Sequence, residues 1–359
     1  MTNSTHEEGN VDEAHDGVSA DGEPDGVSAD GSGETESLTL VESIRNTLHS
    51  EMADDEDIIL LGEDIGKTGG VFRATEGLYD EYGRDRVVDT PISELGIAGT
   101  AIGLAASGLR PVAEIQFMGF SYDAVGQLFH RAARINTRTR GKYNCQMVLR
   151  IPFGGGIRSP DLHGESMEAI FAHHPGLKVV APSTPYDAKG LLTSAIYDPD
   201  PVLFLEPKKI YRAFRGDVPE GSYETPLGEA AIRREGEDVS LFTWGAMTRP
   251  TLEAAETVAE EGIDCEVVDL RTLSPMDKGT LVGSFKNTGR AVVVHEAPKT
   301  GGLAGEITAL LQEEALFYQE APIERVTGWD VVYPLYELED LQLPNATRVE
   351  EAIRDVIGV

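Results

Sequence analysis

Short apolar runs alternate with amphipathic segments along the chain from residue 38 onward. Runs rich in Val, Ile and Leu predict buried strands at 58–64, 111–117, 146–154, 177–183 and 202–207. Apolar residues at helical spacing predict helices at 38–53, 122–138 and 185–198. Because strands that alternate with helices form mostly parallel sheets covered on both faces, this half of the chain is predicted to be an α/β unit.

The alternation stops between residues 207 and 228, where Lys, Arg, Gly and Pro predict a linker, and it then resumes. Strands are predicted at 239–245, 265–272, 290–297 and 323–328, and helices at 251–262, 277–289 and 302–316. We therefore predict an α/β protein of two three-layer units, one over residues 38–214 and a smaller one over residues 228–359.

The first 37 residues differ from the rest of the chain in composition. The segment DGVSADG occurs twice, at 16–22 and at 25–31, and large apolar residues are almost missing. Such a segment cannot bury enough apolar surface to offset the entropy lost on ordering. We predict that residues 1–37 form an acidic disordered tail.

The charge of the chain is strongly negative, at −32. A nucleic-acid-binding protein would be basic, so this class of partner is disfavoured. The bases comprise 21 Arg and only 9 Lys, and this acidic, Lys-poor composition suggests a protein of a high-salt cytoplasm, where salt screens self-repulsion. An ordinary acidic protein is the alternative interpretation.

Two further features bear on the location of the chain. Its longest run of apolar and small residues, 95–109, is too short to span a membrane, and its N-terminus lacks the pattern of a secretory signal. The two cysteines, Cys145 and Cys265, are far apart and belong to no CxxC motif. We expect a cytoplasmic protein with two reduced, structural thiols and no membrane partner.

Candidate chemistry lies in the loops at the carboxyl ends of the predicted strands, where open α/β sheets place their functional residues. These loops read GED, DTPISE, EIQFMGF, PFGGGIRSPDLHGES, EPKK and HEAPKTGG. The sequence contains no GxxxxGK[ST] phosphate loop, no GxSxG nucleophile motif and no four-ligand set with zinc spacing.

Glu94 is the most informative residue of these loops. Ser93 is a natural N-cap, and Glu94 then occupies the first turn of an apolar helix, where the helix dipole favours an anion. The same helix carries Gly96, Gly99 and Gly103 at spacings that allow another helix or subunit to approach closely. From the residues alone, Glu94 is therefore either a capping acid or a catalytic carboxyl in a dry site.

Several long segments together resemble one enzyme family. The segments GEDIGKTGGVF, DTPISELGIAGTAIGLAASGLRPVAEIQF, RIPFGGG and HPGLKVVAPSTPYDAKGLLTSAI are similar to those of the beta subunit of thiamine-diphosphate-dependent 2-oxo-acid dehydrogenases, most of all pyruvate dehydrogenases. The resemblance covers about residues 38–359. It implies a transketolase-like pyrimidine-binding domain followed by a transketolase C-terminal domain.

The resemblance also implies roles for individual residues. Glu94 would face N1′ of the cofactor's aminopyrimidine as a protonated carboxyl, and Ile92 and Phe120 would line the aminopyrimidine pocket. Glu63 would belong to an acidic path that links two active sites. His163 would lie at the mouth of the substrate funnel and assist transfer of the acyl group to lipoamide, although Gly164 and Glu165 follow it where many relatives have Ser-Gln or Ser-Asp.

Metal and cofactor sites follow from the same resemblance. The segment SAIYDPDP matches a family segment that holds a monovalent cation, usually K⁺, with Ala195, Asp198 and Asp200 as candidate ligands. A turn cap by Asp198 is the alternative. The sequence contains no Gly-Asp-Gly motif, which in this family binds the diphosphate and Mg²⁺ from the alpha subunit.

The implied protein is thus half of an enzyme. It would form an α₂β₂ assembly with an alpha subunit, act on a 2-oxo acid, and pass the acyl group to a lipoyl-bearing acyltransferase core. A branched-chain 2-oxo-acid dehydrogenase subunit, or a non-catalytic subunit that docks the acyltransferase core, are the alternatives. Retention of Glu94, Phe120 and His163 argues against the second of these.

Overall fold

The computed structural model describes residues 33–358. In that range the strands are β1 (Thr35–Leu38), β2 (Ile58–Gly62), β3 (Val87–Asp89), β4 (Arg110–Glu114), β5 (Val148–Phe153), β6 (Lys178–Val180), β7 (Val202–Pro207), β8 (Gly216–Pro219), β9 (Ala231–Arg234), β10 (Val239–Thr243), β11 (Cys265–Asp269), β12 (Thr272–Ser274), β13 (Ala291–Pro298) and β14 (Glu324–Gly328). The α-helices are α1 (Leu40–Asp54), α2 (Leu78–Tyr82), α3 (Glu94–Ala106), α4 (Val125–His130), α5 (Ile135–Arg138), α6 (Glu168–Ala172), α7 (Pro185–Tyr197), α8 (Thr248–Ala259), α9 (Lys278–Thr288), α10 (Leu303–Ala315), α11 (Glu339–Gln342) and α12 (Ala346–Ile357).

The first unit is built on a seven-stranded sheet with the order β12-β6-β7-β5-β4-β2-β3. All of its pairs are parallel except β12 with β6, and β12 comes from the second half of the chain. Helices α1 and α7 pack on one face of the sheet, and α3, α4 and α6 pack on the other. Helix α1 begins with a capping box, in which Thr39 and Glu42 satisfy each other's backbone N–H groups.

The second unit is built on a five-stranded sheet with the order β14-β13-β10-β11-β9, in which only β9 runs antiparallel to its neighbour. Helices α8 and α12 cover one face with apolar side chains, and α9 and α10 cover the other. The prediction of two three-layer α/β units is therefore confirmed.

Three predictions of local structure were wrong. The single helix expected over 122–138 is divided into α4 and α5 by a 3₁₀ turn at Ala132–Arg134, where the backbone of Arg131 leaves helical geometry. The expected linker 207–228 contains the strand β8. This strand pairs with β1, so residues 35–37, which were expected to belong to the tail, form part of a two-stranded sheet. Residues 1–32 of that tail lie outside the described residues.

A buried ion cluster crosses three neighbouring strands of the first sheet. The guanidinium of Arg150 on β5 donates to both carboxylate oxygens of Glu206 on β7, at 2.6 and 3.0 Å, and to Glu114 on β4 at 2.7 Å. Breaking such a buried cluster leaves an uncompensated charge, so its members support one another. The cluster explains how a charged residue occupies a strand that is otherwise apolar.

Charged side chains also join the two units. Asp187 at the start of α7 accepts from Arg233 on β9 and from Arg271 at 3.1 Å, and Asp269 accepts from Arg233 at 2.8 Å. Both carboxylates are fully buried. Together with the pairing of β12 to β6, this network fixes the second unit against the first.

The structure bears on two further expectations. Cys145 and Cys265 are both buried and unpaired, as expected of structural thiols. Burial raises the pKa of each thiol to about 12, which keeps both protonated at neutral pH. No helix within residues 33–358 is long and apolar enough to cross a bilayer.

Candidate active site

The candidate residues lie where the parallel strands of the first sheet end. Glu63 directly follows β2, Glu94 begins the helix after β3, and Phe120 lies just after β4. His163 lies on the long segment after β5. Because β2, β3, β4 and β5 run parallel, these segments leave the sheet on the same side, where the carboxyl ends of the strands lie.

Glu94 is the first residue of α3. The hydroxyl of Ser93 accepts from the backbone N–H of Gly96 at 3.2 Å, so Ser93 is the N-cap that the sequence predicts. The Glu94 side chain is half-buried, whereas its apolar neighbours Ile92 and Leu95 are 85% and 52% exposed. The start of α3 thus presents a carboxyl group among outward-facing apolar side chains.

A second carboxyl group lies beside Glu94. Glu63 is buried, and one of its carboxylate oxygens has no hydrogen-bond partner among the described residues. Burial raises the pKa of Glu63, the charge of Glu94 raises it further, and the backbone N–H of Ser93 opposes the rise. The raised pKa favours the protonated form of the Glu63 carboxyl group.

His163 and Phe120 are brought together by a third ring. The imidazole lies 4.2 Å from the Phe117 ring and 5.0 Å from the Phe120 ring, measured between centroids. The carbonyl oxygen of Asp161 lies 2.8 Å from Nδ1 of His163 and can only accept, so Nδ1 carries the proton. The lone pair of Nε2 is therefore free to take a proton.

The backbone before His163 adopts an unfavourable conformation. Leu162 has a φ of 66°, in the left-handed region that a side chain of this kind rarely occupies. Its carbonyl oxygen lies against Gly119, where a Cβ atom would overlap it at 2.0 Å. Gly119, in the loop after β4, therefore leaves room for the segment that carries His163.

The candidate cation ligands lie elsewhere. Ala195 lies near the end of α7, and Asp198 lies in the turn after it. Asp200 precedes β7, so these residues lie at the amino ends of the strands, whereas Glu94 lies at the carboxyl ends. The Lys178 ammonium lies 2.5 Å from the Asp198 carboxylate and 3.7 Å from that of Asp200. A second oxygen of Asp198 accepts from the backbone N–H of Asp200 at 2.9 Å, which is the turn cap named as the alternative.

Comparisons with known proteins show the family of the chain. A family model of the transketolase pyrimidine-binding domain matches residues 36–213, and one of the transketolase C-terminal domain matches residues 228–349. The chain is 48% identical over 320 residues to the pyruvate dehydrogenase E1 component subunit beta of Bacillus subtilis, covering 89% of this chain and 98% of that protein. It is 46% identical over 320 residues to the protein of the same name from Staphylococcus aureus, with the same coverage.

The chain belongs to the pyruvate dehydrogenase E1 beta subunit family. Among solved structures it is similar to a split-gene transketolase described as an inactive beta4 tetramer, with a TM-score of 0.73 and 23% identity, covering 90% of this chain and 99% of that one. At this identity the likeness shows the fold alone. It agrees with the two α/β units described above.

The described residues fit the aminopyrimidine end of the family's cofactor, thiamine diphosphate. The exposed Ile92 side chain, the half-buried ring of Phe120 and the Glu94 carboxyl are of the chemical kinds that a flat ring with polar nitrogens requires. The buried carboxylate oxygen of Glu63, which has no hydrogen-bond partner within residues 33–358, is a further polar group beside Glu94. Because the sequence has no Gly-Asp-Gly motif, the fit does not extend to the diphosphate and Mg²⁺.

The fit of a monovalent cation is poorer. The carboxylates of Asp198 and Asp200 already face one positive charge, the ammonium of Lys178. Within residues 33–358 no three His, Cys, Asp or Glu side chains converge as a metal-binding group. A cation at this place would have to bind mainly through backbone oxygens.

Analysis of the sequence missed four residues that the structure places near His163. These are Phe117, which contacts the imidazole, and Lys208, Glu296 and Tyr333, which surround the loop after β5. The loops EPKK and HEAPKTGG were singled out for their positions at strand ends, and they contain Lys208 and Glu296. Their roles could not be assigned, because the contacts join residues far apart in the sequence.

Proposed function

We propose that this chain is the beta subunit of a thiamine-diphosphate-dependent pyruvate dehydrogenase and contributes half of its active site. The observation that carries the proposal is the carboxyl group of Glu94 at the start of α3, beside the buried Glu63. The relatives reported above are named for pyruvate, which favours pyruvate over branched-chain 2-oxo acids as the substrate. An intact carboxyl pair and an intact histidine support a catalytic subunit over one that only assists assembly.

In this proposal Glu94 holds a proton at N1′ of the cofactor's aminopyrimidine. Its place at the start of α3 is suited to this task, because the helix fixes the carboxyl group and the apolar side chains of Ile92 and Leu95 exclude water once a partner covers them. Glu63 adds a second carboxyl group through which a proton can be exchanged. When bound, thiamine diphosphate supplies the nucleophilic carbon and the electron sink for decarboxylation.

We assign His163 to the second half of the reaction, in which the acyl group passes to lipoamide. The acceptor is the disulfide of lipoamide, which is also the oxidant of this step: one sulfur takes the acyl group, and the other is released as a thiolate that must gain a proton. With Nδ1 donating to the Asp161 carbonyl, Nε2 can take the proton that the hydroxyl of the two-carbon unit loses and pass it to this thiolate. The aromatic rings of Phe117 and Phe120 hold the imidazole from two sides. The half-buried position of His163 leaves it accessible to a substrate on a long swinging arm.

The proposed enzyme is an α₂β₂ assembly. The alpha subunit would bind the diphosphate and Mg²⁺, and it would cover the apolar side chains at the start of α3, together with the open face at Gly103. The lipoyl-bearing acyltransferase core is the proposed acceptor. A K⁺ ion near Ala195, Asp198 and Asp200 remains part of the proposal, with Lys178 as its competitor for the two carboxylates.

We place the enzyme in a cytoplasm of high salt concentration. The excess of Asp and Glu, 62 against 30 Lys and Arg, supports this setting because the charge would otherwise cause strong self-repulsion.

One experiment tests the proposed function most directly. The chain is co-expressed with its alpha subunit, and CO₂ release is measured over a panel of linear and branched 2-oxo acids in molar salt. We expect the largest kcat/KM for pyruvate. A preference for branched substrates would reassign the substrate class, and no release from any 2-oxo acid by a correctly assembled complex would refute the proposed function.

A further inference from the structure

The loop after β5 is held by side chains of the second unit. In this glycine loop (Gly154–Gly156), the backbone N–H of Gly155 donates to the buried carboxylate of Glu296 at 2.8 Å, and that of Gly156 donates to the carboxylate of Glu339. The backbone N–H of Gly154 donates to the carbonyl oxygen of Glu165 at 2.9 Å. Each of three successive N–H groups therefore has one defined acceptor.

The close approach depends on glycine. Gly154 has a φ of 79°, and a Cβ atom there would overlap the Glu296 carboxylate. A Cβ atom on Gly155 or on Gly164 would overlap the ring of Tyr333. Because Gly164 directly follows His163, Tyr333 of the second unit contacts both the glycine loop and the segment that carries the imidazole.

Lys208 lies at the centre of these contacts. Its side chain is only 3% exposed, and its ammonium donates to the carbonyl oxygen of Gly154. The same ammonium lies 5.8 Å from the centre of the Phe117 ring, which in turn lies 4.2 Å from the ring of His163. Lys208 thus touches the glycine loop on one side and the ring that supports His163 on the other.

The charge of Lys208 is accounted for by three carboxylates. Burial lowers the pKa of its amine to about 7, whereas the charges of Glu296, Glu339 and Glu165 oppose this fall. These three acids come from β13, from α11 and from the segment after β5. The attraction of the three carboxylates offsets part of the cost of burying the ammonium, so its charged form depends on all of them.

We propose that Lys208 is a positioning residue, which holds the imidazole of His163 through the Phe117 ring and the glycine loop. The inference rests on the proposed role of His163 and deepens it, since it makes the second unit responsible for the geometry of acyl transfer. Lys208 contacts neither Glu94 nor Glu63 among the hydrogen bonds of the described residues, so the decarboxylation half of the site does not depend on it in the same way.

The test compares Lys208→Met with Lys278→Met in the complete enzyme. Methionine keeps most of the length of the side chain and removes the charge, and the control Lys278 is an exposed lysine at the start of α9, away from the glycine loop. We expect Lys208→Met to lower kcat for acyl transfer to a lipoyl domain by between about 10- and 100-fold, because small displacements of a catalytic group have effects of this size. Decarboxylation with an artificial electron acceptor should change by less than about 2-fold, and Lys278→Met should change neither.

A double-mutant cycle separates positioning from general damage. If Lys208 acts through the imidazole, Lys208→Met has no further effect on acyl transfer in a His163→Ala background. Additive losses, or equal losses in both assays for Lys208→Met alone, would overturn the proposal. If His163→Ala alone shows no selective effect on acyl transfer, the proposed role of His163 itself has failed.

Assembly is checked first, by sedimentation and thermal melting in molar salt. Should Lys208→Met fail to assemble, Glu296→Gln replaces it, since the amide oxygen can still accept from Gly155 while the charge is lost. We expect the same selective loss of acyl transfer. Failure of both variants to assemble would assign the cluster to structure alone and contradict the proposal.

Discussion

The imidazole of His163 packs against the ring of Phe117, with 4.2 Å between their centroids. Phe117 follows β4 and His163 lies after β5, so the contact joins the ends of two adjacent strands. Its geometry fixes the plane of the imidazole, and the hydrogen bond from Nδ1 to the Asp161 carbonyl fixes its rotation. A proton acceptor is thereby held in place before any substrate arrives.

Replacing Glu94 by Gln tests whether this residue is a catalyst or a cap. The amide keeps the shape and the helix start but cannot supply a carboxyl proton, so we expect normal assembly and at least about 100-fold slower decarboxylation. The measurement is CO₂ release with an artificial electron acceptor. Ser93→Ala is the control, because it removes the N-cap and should lower stability by about 1 kcal/mol with the activity retained. Near-normal turnover of Glu94→Gln would leave only the capping role.

Replacing His163 by Ala should separate the two halves of the reaction. Decarboxylation followed with an artificial acceptor should survive better than acyl transfer to lipoamide, because only the second step uses the free Nε2. Leu162→Ala, which alters the exposed side chain next to it, is a suitable control. Equal losses in the two assays would argue against the assignment.

The stability of the protein should depend on the ionisation of Glu168, a fully buried residue at the start of α6. Burial raises its pKa from an ordinary 4.5 to about 7, and the charge of Glu296 contributes to the rise. An acid whose pKa is higher in the folded state than in the unfolded chain stabilises the fold when it is protonated. This stabilisation is complete at a pH below the pKa of the unfolded chain, and it is lost as the pH rises through about 7.

The free energy of unfolding of Glu168→Gln should therefore gain on that of the wild type as the pH rises. We expect the difference between the two proteins to shift in favour of the variant by on the order of 3 kcal/mol from pH 5 to pH 8, since one pKa unit corresponds to about 1.4 kcal/mol. Thermal melting across this range provides the measurement, with the exposed Glu256→Gln as the control. The same difference from the wild type at both pH values would show that Glu168 does not titrate in this range.

Lowering the salt concentration should weaken the assembly. Residues 37–359 carry 51 Asp and Glu against 30 Lys and Arg, so repulsion remains strong even without the N-terminal segment. We expect dissociation or unfolding when salt falls from molar to about 0.1 M, where the Debye length grows to about 10 Å. Light scattering and circular dichroism follow the two processes, and full activity in dilute buffer would rule out adaptation to high salt.

The isolated chain should bind thiamine diphosphate weakly and catalyse no reaction. It offers Ile92, Glu94 and Phe120 to the aminopyrimidine, which amounts to apolar contact and one hydrogen bond. The diphosphate and Mg²⁺ need oxygen ligands in near-octahedral geometry, and the Gly-Asp-Gly motif that supplies them in this family is absent from the sequence. Calorimetry on the single chain with cofactor and Mg²⁺ checks this expectation, and micromolar binding without the alpha subunit would contradict it.

Local chemistry made part of the site predictable from sequence. Ser93 and Glu94 were placed correctly at the start of α3, because capping depends on a few neighbouring residues. Strands such as β2, β4 and β10 were also recognised, since a continuous apolar run signals burial on both faces.

The contacts around the glycine loop could not be predicted in this way. Glu296 and Glu339 are 141 and 183 residues from their partners in the loop, and no periodicity links such positions. Arg150 shows the same limit, because its side chain interrupts an apolar strand and only the folded sheet supplies the carboxylates around it. Short elements such as β1 and β12 depend on distant strands for their existence and leave almost no signal of their own.

The pairing of β12 with β6 also constrains how the molecule can be made. Strand β12 lies after β11 of the second unit, yet it forms the edge of the first sheet. During synthesis, the first sheet stays one strand short until residue 274 has left the ribosome, and the backbone groups of β6 remain open to wrong partners until then. A gene cut at the boundary between the two units would therefore yield an N-terminal product with an unprotected edge, prone to aggregate.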